Sequence, residues 1–244
     1  NKTYDGNGVA TLDASSVAYS GIVSGDIFNG TYTGAFSDKN VGTGKTVTIT
    51  PSYSGADVSN YSVTDQSSTT ANITAKSLTV SGITASSKTY DGSTSATLDS
   101  TSVTYTGLLS GDTFTGSYSG VFANANVGTG KTVIITPSYS GADVSNYSIT
   151  NHADVNANIT AKALTVSGIT ASSKTYNGST SATLDTSSVL YSGLVSGDTF
   201  NGSYTGAFSN ANVGTGKTVT ITSSYSGADS GNYSVTDQSS TTAD

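Results

Sequence analysis

The sequence has no cysteine, methionine or tryptophan, only two prolines and a single histidine, His152. Without cysteine, no disulfide can stabilise the chain. One histidine and no cysteine also supply too few ligands for a zinc or iron site. A Ser-His-Asp triad would have to take its base from His152, yet the residues 86 positions to either side are Gln66 and Gln238. The sequence therefore predicts a protein that is not an enzyme and needs no cofactor.

Charge is scarce and limited in variety. Glutamate and arginine are absent, so aspartate and lysine supply all the charge, and the net charge is −7. Because no basic patch can displace counterions from phosphates, we expect no binding to nucleic acid. No apolar run approaches roughly 18 residues, so we expect no transmembrane segment. A composition rich in Ser, Thr and Gly without cysteine fits a protein exported unfolded, which predicts an extracellular location.

The chain contains three copies of one segment. Lys-Thr-Tyr-Asp-Gly begins at Lys2 and again at Lys88, and Lys174 begins Lys-Thr-Tyr-Asn-Gly, so the offset is 86 residues each time. Two more motifs recur at this spacing: Asn-Val-Gly-Thr-Gly-Lys from Asn40, Asn126 and Asn212, and Tyr-Ser-Gly-Ala-Asp from Tyr53, Tyr139 and Tyr225. We divide the chain into repeats at 1–86, 87–172 and 173–244, with 1–72, 73–158 and 159–244 as the alternative.

Each copy is expected to be all-β. Strong helix formers are few, whereas Thr, Val, Ile and 15 tyrosines are available for strands and cores. Leu78 and Val80 alternate with polar residues, which is the period of a half-buried strand. About seven or eight short strands per copy, with turn signals such as Asp91-Gly92, favour an immunoglobulin-like β-sandwich. The segment 158–166 has no Gly or Pro, so we expect three sandwiches arranged end to end over roughly 100–130 Å.

One strand is unevenly shared among the copies. Residues 73–86 contain the Leu78-Thr79-Val80 strand, and nothing before Asn1 corresponds to them. The strand either belongs with the residues after it, which leaves the first copy a strand short, or completes the first copy and leaves the third short. We favour the second assignment, because a chain that starts at Lys2 begins with an intact turn motif. The third repeat would then expose an edge, be the least stable, or borrow a strand from a neighbouring molecule.

These motifs resemble the YDG domain, which is named for its Tyr-Asp-Gly signature and occurs in tandem in large bacterial surface proteins similar to filamentous-haemagglutinin-type adhesins. The matching pieces occur in order in every copy; in the second they are Lys88 to Gly92, Ser110 to Asp112, Asn126 to Lys131 and Ser140 to Asp143. The third copy departs from the signature at Asn177. The resemblance implies a stalk or spacer on the bacterial cell surface that projects a distal binding domain, and it supplies no catalytic residues.

Two other roles stay open. Each copy could grip a host or matrix glycan or protein weakly, and several copies together would bind by avidity. Alternatively, exposed edge strands could associate with neighbouring copies of the chain and build a fibre. Tyr118, Tyr139 and Tyr147 are the candidates for a glycan platform, although tyrosine on strands more often fills the core.

Six aspartates recur at equivalent positions and could bind calcium, which requires several oxygen ligands. They lie in predicted turns, where aspartate commonly accepts hydrogen bonds from its own backbone, and we favour that reading. The six are Asp26, Asp57, Asp112, Asp143, Asp198 and Asp229.

Two further motifs resemble a cross-link site and a phosphate-binding loop. A lysine–asparagine isopeptide cross-link could draw on Lys88, Lys131 or Lys162 and on Asn126 or Asn146, although exposed lysines are the simpler interpretation. The run 127–132 ends like a phosphate-binding loop, but Ala125 stands where that motif requires glycine, and no helix is predicted to follow. We therefore interpret this run as a glycine-rich loop between strands.

Overall fold

The structure, a computed structural model, describes residues 1–244. It contains 24 β-strands and three single-turn 3₁₀ helices, and no α-helix, which confirms the predicted all-β class. None of its helical segments has the length and apolar character needed to cross a lipid bilayer.

The first copy forms one five-stranded sheet. Its strands are β1 (Lys2–Thr3), β2 (Val9–Ala10), β3 (Asn29–Phe36), β4 (Gly42–Ser54) and β5 (Ser68–Thr74), with a 3₁₀ turn at Val58–Asn60. The order is β1-β5-β4-β3-β2, and all neighbours are antiparallel except β1 and β5. Side chains along β3 alternate between exposed and half-buried, as expected of a sheet with one face on a core.

The second copy has the same large sheet and two smaller ones. Its strands are β6 (Lys76–Ser81), β7 (Thr84–Ala85), β8 (Lys88–Thr89), β9 (Ser95–Ala96), β10 (Leu98–Asp99), β11 (Thr104–Thr106), β12 (Thr115–Phe122), β13 (Gly128–Ser140), β14 (Tyr147–Thr150) and β15 (Val155–Thr160), with a 3₁₀ turn at Val144–Asn146. The sheets run β8-β15-β13-β12-β9, β11-β6-β14 and β10-β7. In the three-stranded sheet, β6 is antiparallel to β11 and parallel to β14.

The third copy repeats this arrangement. Its strands are β16 (Lys162–Ser167), β17 (Thr170–Ala171), β18 (Ser181–Ala182), β19 (Leu184–Asp185), β20 (Leu190–Ser192), β21 (Asn201–Phe208), β22 (Lys217–Ser226), β23 (Tyr233–Thr236) and β24 (Ser240–Ala243), with a 3₁₀ turn at Ser230–Asn232. Strand β16 lies between β20 and β23 as β6 lies between β11 and β14. The larger sheet has the order β18-β21-β22-β24.

The sheets are barrel-like. They are not specifically those of the immunoglobulin-like sandwich that the sequence predicted, and the architecture is corrected accordingly. Parallel pairs recur between β1 and β5, β6 and β14, β8 and β15, and β16 and β23. An immunoglobulin-like sandwich is built from antiparallel sheets. Period-two patterning identifies strands and their buried faces but does not reveal strand direction, which is why the sequence did not distinguish the two.

The favoured assignment of the Leu78 strand was wrong. Strand β6 pairs with β11 and β14, both of which follow it, and the equivalent β16 completes the third copy. The first copy is therefore the one without this strand, and the third copy is not short. The intact turn motif at Lys2 does not indicate which copy contains the Leu78 strand, because β1, which begins at Lys2, pairs with β5 and not with β6.

The chain forms two compact units that do not coincide with the 86-residue copies. One contains residues 1–82, 101–118 and 137–152, and the other contains residues 83–100, 119–136 and 153–244. The core of the first unit includes Tyr4, Phe36, Leu78 and Tyr147, and that of the second includes Tyr90, Phe122, Leu164, Phe200 and Tyr233. Each core thus combines residues of two consecutive copies.

Candidate functional site

The signature tyrosine of one copy is buried against the next copy. Tyr4 is 1% exposed and Tyr90 is 3% exposed. The ring of Tyr4 meets that of Tyr147 edge to face, with centroids 5.7 Å apart, and Tyr90 meets Tyr233 in the same way at 5.6 Å. Such aromatic pairs add stabilisation beyond the area they bury. Tyr4 and Tyr90 therefore each join two copies, and we call the two clusters around them the junctions.

One carboxylate at the centre of each junction accepts hydrogen bonds from tyrosines of two copies. At Asp112, Oδ2 accepts from the hydroxyl of Tyr4 at 3.0 Å and from that of Tyr147 at 2.5 Å. At the second junction, the hydroxyls of Tyr90 and Tyr233 both donate to Asp198 Oδ2. Hydrogen bonds to an ionised acceptor are stronger than those between neutral groups.

The phenol groups are held in their protonated, donating form. Burial, together with the hydrogen bond to Asp198, raises the pKa of Tyr90 to about 12, and the same two causes raise the pKa of Tyr233 to about 12. Burial and the bond to Asp112 likewise raise the pKa of Tyr147 to about 12 and increase that of Tyr4. A phenolate here would be buried beside a carboxylate, which low-dielectric surroundings penalise.

A buried asparagine makes the second polar contact of each junction. Asn146 Oδ1 accepts from the backbone N–H of Val41 at 2.9 Å, and its Nδ2 donates to Asn40 Oδ1 at 3.1 Å. Asn232 binds Val127 and Asn126 in the same way, at 2.9 and 3.3 Å. The recurring Asn-Val motif therefore docks onto the asparagine of the following copy.

The predicted calcium ligands serve turns and junctions. Asp143 Oδ2 accepts from the backbone N–H of Thr113 at 2.8 Å, and that bond, with nearby Lys39, lowers the pKa of Asp143. Asp229 binds the N–H of Thr199 equivalently. In the first copy, Asp57 accepts from the N–H of Ile27 and Asp26 from the hydroxyl of Tyr61. The chain contains no group of three or more His, Cys or acidic side chains that could hold a metal ion.

Lys39 is peculiar to the first junction. Its Nζ lies 3.3 Å from Asp143 Oδ1 and 3.6 Å from Asp112 Oδ1. The equivalent residue is Ala125 in the second copy, so the second junction has no such cation. Because Lys39 is partly exposed, its contribution to stability is expected to be small.

In the third copy, the surface around the signature tyrosine is not covered by another copy. Tyr176 is 64% exposed and Val213 is 87% exposed, whereas their equivalents at the two junctions are buried or half-buried. With Phe208 and the stem of Lys174 they line a cavity of about 430 Å³. At the two junctions the equivalent surface is covered by the copy that follows.

The three tyrosines that were candidates for a glycan platform all lie on strands. Tyr147 is buried, while Tyr118 and Tyr139 are half-buried with ring centroids 6.2 Å apart, and the Tyr139 hydroxyl donates to Asn151. This is the half-core placement typical of strand tyrosines. His152 follows β14 and is half-buried.

The structure does not bring together the groups required for an isopeptide bond. Lys88 Nζ donates to Asp91 and Ser93, and Lys131 Nζ donates to Asn124. Lys162 opens strand β16, and Asn126 and Asn146 are used at the junctions. Most of the run 127–132 belongs to strand β13, so the prediction of a loop there was wrong. No helix follows the run, as the sequence predicted.

Sequence reasoning missed the junctions themselves. Tyr4 and Tyr90 were recognised only as parts of a turn motif, and Asn146 only as a cross-link candidate. The one available signal was that Tyr, the Ser-Gly-Asp aspartate and the Asn-Tyr pair occur together in every copy.

Fold and site together define a class: an all-β tandem-repeat protein whose consecutive copies share a buried tyrosine–aspartate junction. The chain belongs to the YDG domain family, whose model matches residues 1–71, 74–156 and 160–243. No curated protein and no solved structure matches the chain.

Proposed function

We propose that this chain is a spacer segment of a bacterial cell-surface adhesin, located outside the cell, which holds a distal binding domain away from the surface. The observation that carries the proposal is the burial of Tyr4 and Tyr90 in the copy that follows each of them. A spacer has to transmit position along its length, and a linker that leaves neighbouring repeats free to swivel cannot do so.

The contacts within each junction support limited motion between its two copies. Aromatic packing, the shared aspartate and the buried asparagine act over the same small surface, and all of them would be lost together if the two copies separated. Solenoid and repeat arrays derive much of their stability from such nearest-neighbour interfaces.

The test varies copy number and junction integrity independently. Chains of two to six copies would be measured by small-angle scattering, and we expect the maximum dimension to grow by a constant increment, about 35–40 Å per copy. The variant Asp198→Ala should shorten the mean dimension by permitting bending. A dimension that does not rise with copy number would contradict the spacer proposal.

A second candidate is association between chains, favoured by strands β2, β9 and β18, each of which lies at the edge of its sheet. In this role the edge strands of one molecule would pair with those of another and begin a fibre. Sedimentation at increasing protein concentration tests this. A sedimentation coefficient that is independent of concentration would contradict it, and binding to glycan arrays that rises with copy number would contradict a purely structural role.

A further inference from the structure

The sequence contains four Asn-Gly pairs. In such a pair the next backbone nitrogen can approach the asparagine side chain closely, because glycine has no side chain to obstruct it. Asn29-Gly30 and Asn201-Gly202 lie in strands β3 and β21. Asn7-Gly8 lies in the loop between β1 and β2, and Asn177-Gly178 lies in the loop between β17 and β18. The same dipeptide therefore occurs in two different backbone settings.

At Asn177, two donors hold the side-chain carbonyl oxygen. Oδ1 accepts a hydrogen bond from the ammonium group of Lys174 at 3.0 Å and another from the backbone N–H of Ser179 at 3.1 Å. Donors at such distances stabilise the negative charge that develops on a carbonyl oxygen when a nucleophile attacks its carbon. The two groups therefore form an oxyanion hole for the Asn177 side chain.

Lys174 is fixed in this position by the rest of its loop. Its Nζ also donates to the carbonyl oxygens of Ser179 at 2.6 Å and Ser181 at 2.9 Å. The same atom lies 5.4 Å from the centroid of the Phe208 ring, which attracts a cation. The ammonium group is thus in place before any reaction begins, which is the condition under which a donor stabilises a transition state most effectively.

The nitrogen of Gly178 is accessible to solvent. Asn177 and Gly178 are both exposed, and no atom lies within 4 Å of the position that a Cβ on Gly178 would occupy. Solvent can therefore remove the N–H proton and reach the leaving group. This exposure belongs to the loop itself, because the equivalent Asp5 and Asp91 are also exposed at the two junctions, where a following copy packs against the signature tyrosine.

The two Asn-Gly pairs in strands have a different backbone setting. Asn201 and Gly202 are paired with Ser226 and Tyr225 of β22. For the nitrogen of Gly202 to reach the Asn201 side chain, the backbone would have to rotate out of its extended conformation and the ladder would break at these residues. The pair at residues 29–30 is held in the same way by β4.

We propose that Asn177 is a self-deamidation site, and Asn7 a second one, where a lysine ammonium and a backbone N–H assist the reaction. At Asn177, the Gly178 nitrogen loses its proton to solvent and bonds to Cγ. The Cγ–Nδ2 bond then breaks, and Nδ2 takes up a proton and leaves as ammonia. Water adds to Cγ of the resulting five-membered ring, the bond from Cγ to the Gly178 nitrogen breaks, and that nitrogen regains a proton. The main chain is restored and the side chain has become a carboxylate. This site is independent of the spacer role.

The product at residue 177 would match the other copies. Asp5 and Asp91 occupy the equivalent positions, where their Oδ1 atoms lie 2.6 Å from Lys2 Nζ and 2.7 Å from Lys88 Nζ. Aspartate at position 177 would give the third copy the same ion pair and change its signature from Tyr-Asn-Gly to Tyr-Asp-Gly. Because the oxyanion hole holds the oxygen on Cγ and not the main-chain carbonyl oxygen, it directs water to Cγ. We therefore expect aspartate, not isoaspartate, as the main product.

The test follows the full chain at mildly alkaline pH by mass spectrometry, after digestion with a protease that cleaves after aromatic residues and so separates Asn177 from Asn201. Both asparagines are followed by Gly-Ser, so the local sequence is matched. We expect Asn177 to react about 10-fold or more faster than Asn201 in the folded chain, because only Asn177 has the oxyanion hole. In urea the two should react at the same rate. Equal rates in the folded chain, or isoaspartate as the main product at residue 177, would overturn the proposal.

Two lysine variants serve as controls for each other. Asn7 Oδ1 accepts from Lys2 Nζ at 3.0 Å and from the backbone N–H of Val9 at 2.9 Å, the same two kinds of donor as at Asn177. We expect Lys174→Gln to slow the reaction at Asn177 about 10-fold and leave that at Asn7 unchanged, and Lys2→Gln to do the reverse; the effect is smaller than for a buried oxyanion donor because solvent screens the charge.

The rate at Asn201 reports whether each variant is still folded, since in an unfolded chain it would rise to the value measured in urea. Variants that stay folded but slow neither site, or slow both alike, would show that the lysines do not assist the reaction.

Discussion

The hydroxyl of Tyr90 donates a hydrogen bond of 2.9 Å to the carboxylate of Asp198, which lies 108 residues further along the chain. Tyr4 and Asp112 make the same contact at the same separation. The third equivalent, Tyr176, is largely exposed. One chain therefore contains two examples of the junction, and the exposed Tyr176 serves as an internal control for Tyr4 and Tyr90.

Replacing Tyr90 with phenylalanine removes the hydroxyl and leaves the ring. We expect Tyr90→Phe to lower the free energy of unfolding by about 1.5–3 kcal/mol, because the lost bond has a charged acceptor. Tyr176→Phe should change it by no more than about 0.5 kcal/mol, as is usual at exposed positions. Urea denaturation followed by circular dichroism measures both. Equal losses would mean that the bond to Asp198 contributes nothing specific.

Asn232→Ala would leave the partly buried N–H of Val127 without its acceptor. We expect a loss of about 1–3 kcal/mol, the usual cost of an unsatisfied buried donor. The matched control is Asn60→Ala, since Asn60 is the equivalent residue in the first copy and is exposed. Thermal unfolding of the two variants provides the comparison, and an Asn60 variant as unstable as the Asn232 variant would count against a junction role.

Stability at high pH follows from the raised tyrosine pKa values. In the folded state the pKa of Tyr90 and that of Tyr233 are about 12, while an unfolded tyrosine titrates near 10.0. Above pH 10 the unfolded state releases its protons first, which favours unfolding. The stabilisation is therefore complete below pH 10 and is lost as the pH rises towards 12. Denaturation midpoints measured from pH 8 to 12 should fall in this window, and less steeply for Tyr90→Phe.

Alanine at three equivalent glycines tests where the middle strand lies. Gly21, Gly107 and Gly193 all have positive φ, so each substitution has a backbone cost of roughly 1–3 kcal/mol. At Gly107 and Gly193 the new methyl group also collides with the adjacent strand, which adds about 1–3 kcal/mol. We expect Gly193→Ala to be clearly more destabilising than Gly21→Ala in chemical denaturation. Three equal values would indicate that no strand passes these sites.

Calcium should have little influence on stability. Asp112 accepts from two tyrosines and Asp143 from a backbone amide, so their oxygens already have partners. We expect the melting temperature to differ by less than roughly 1 °C between buffer with a chelator and buffer with millimolar calcium, since ligands that bind the folded state would raise it. A rise of several degrees that is abolished by Asp112→Asn would establish a calcium site.

The sequence predicted the all-β class, the three copies and the burial of Leu78 and Val80, because periodicity and repetition are local signals. It did not identify the partners of β6, since alternation shows which face is buried but not which strands lie alongside. The junction was hidden for a different reason. Every copy contains both the tyrosine and the aspartate, so Tyr4 could equally have met Asp26 of its own copy or Asp112 of the next. Only three-dimensional placement separates these two possibilities.

The fixed separation of the junction partners restricts how the gene can change in length. The junction bonds of Tyr4 and Tyr90 to Asp112 and Asp198 join positions 108 residues apart, and those of the buried asparagines join positions 105 or 106 apart. Recombination that inserts or deletes one whole copy gives each tyrosine a new aspartate at the same distance. A deletion that removes part of a copy together with its aspartate or its buried asparagine would leave one junction without a partner. Unequal crossing-over between the similar copies can therefore lengthen or shorten the protein in steps of 86 residues while the remaining interfaces keep their partners.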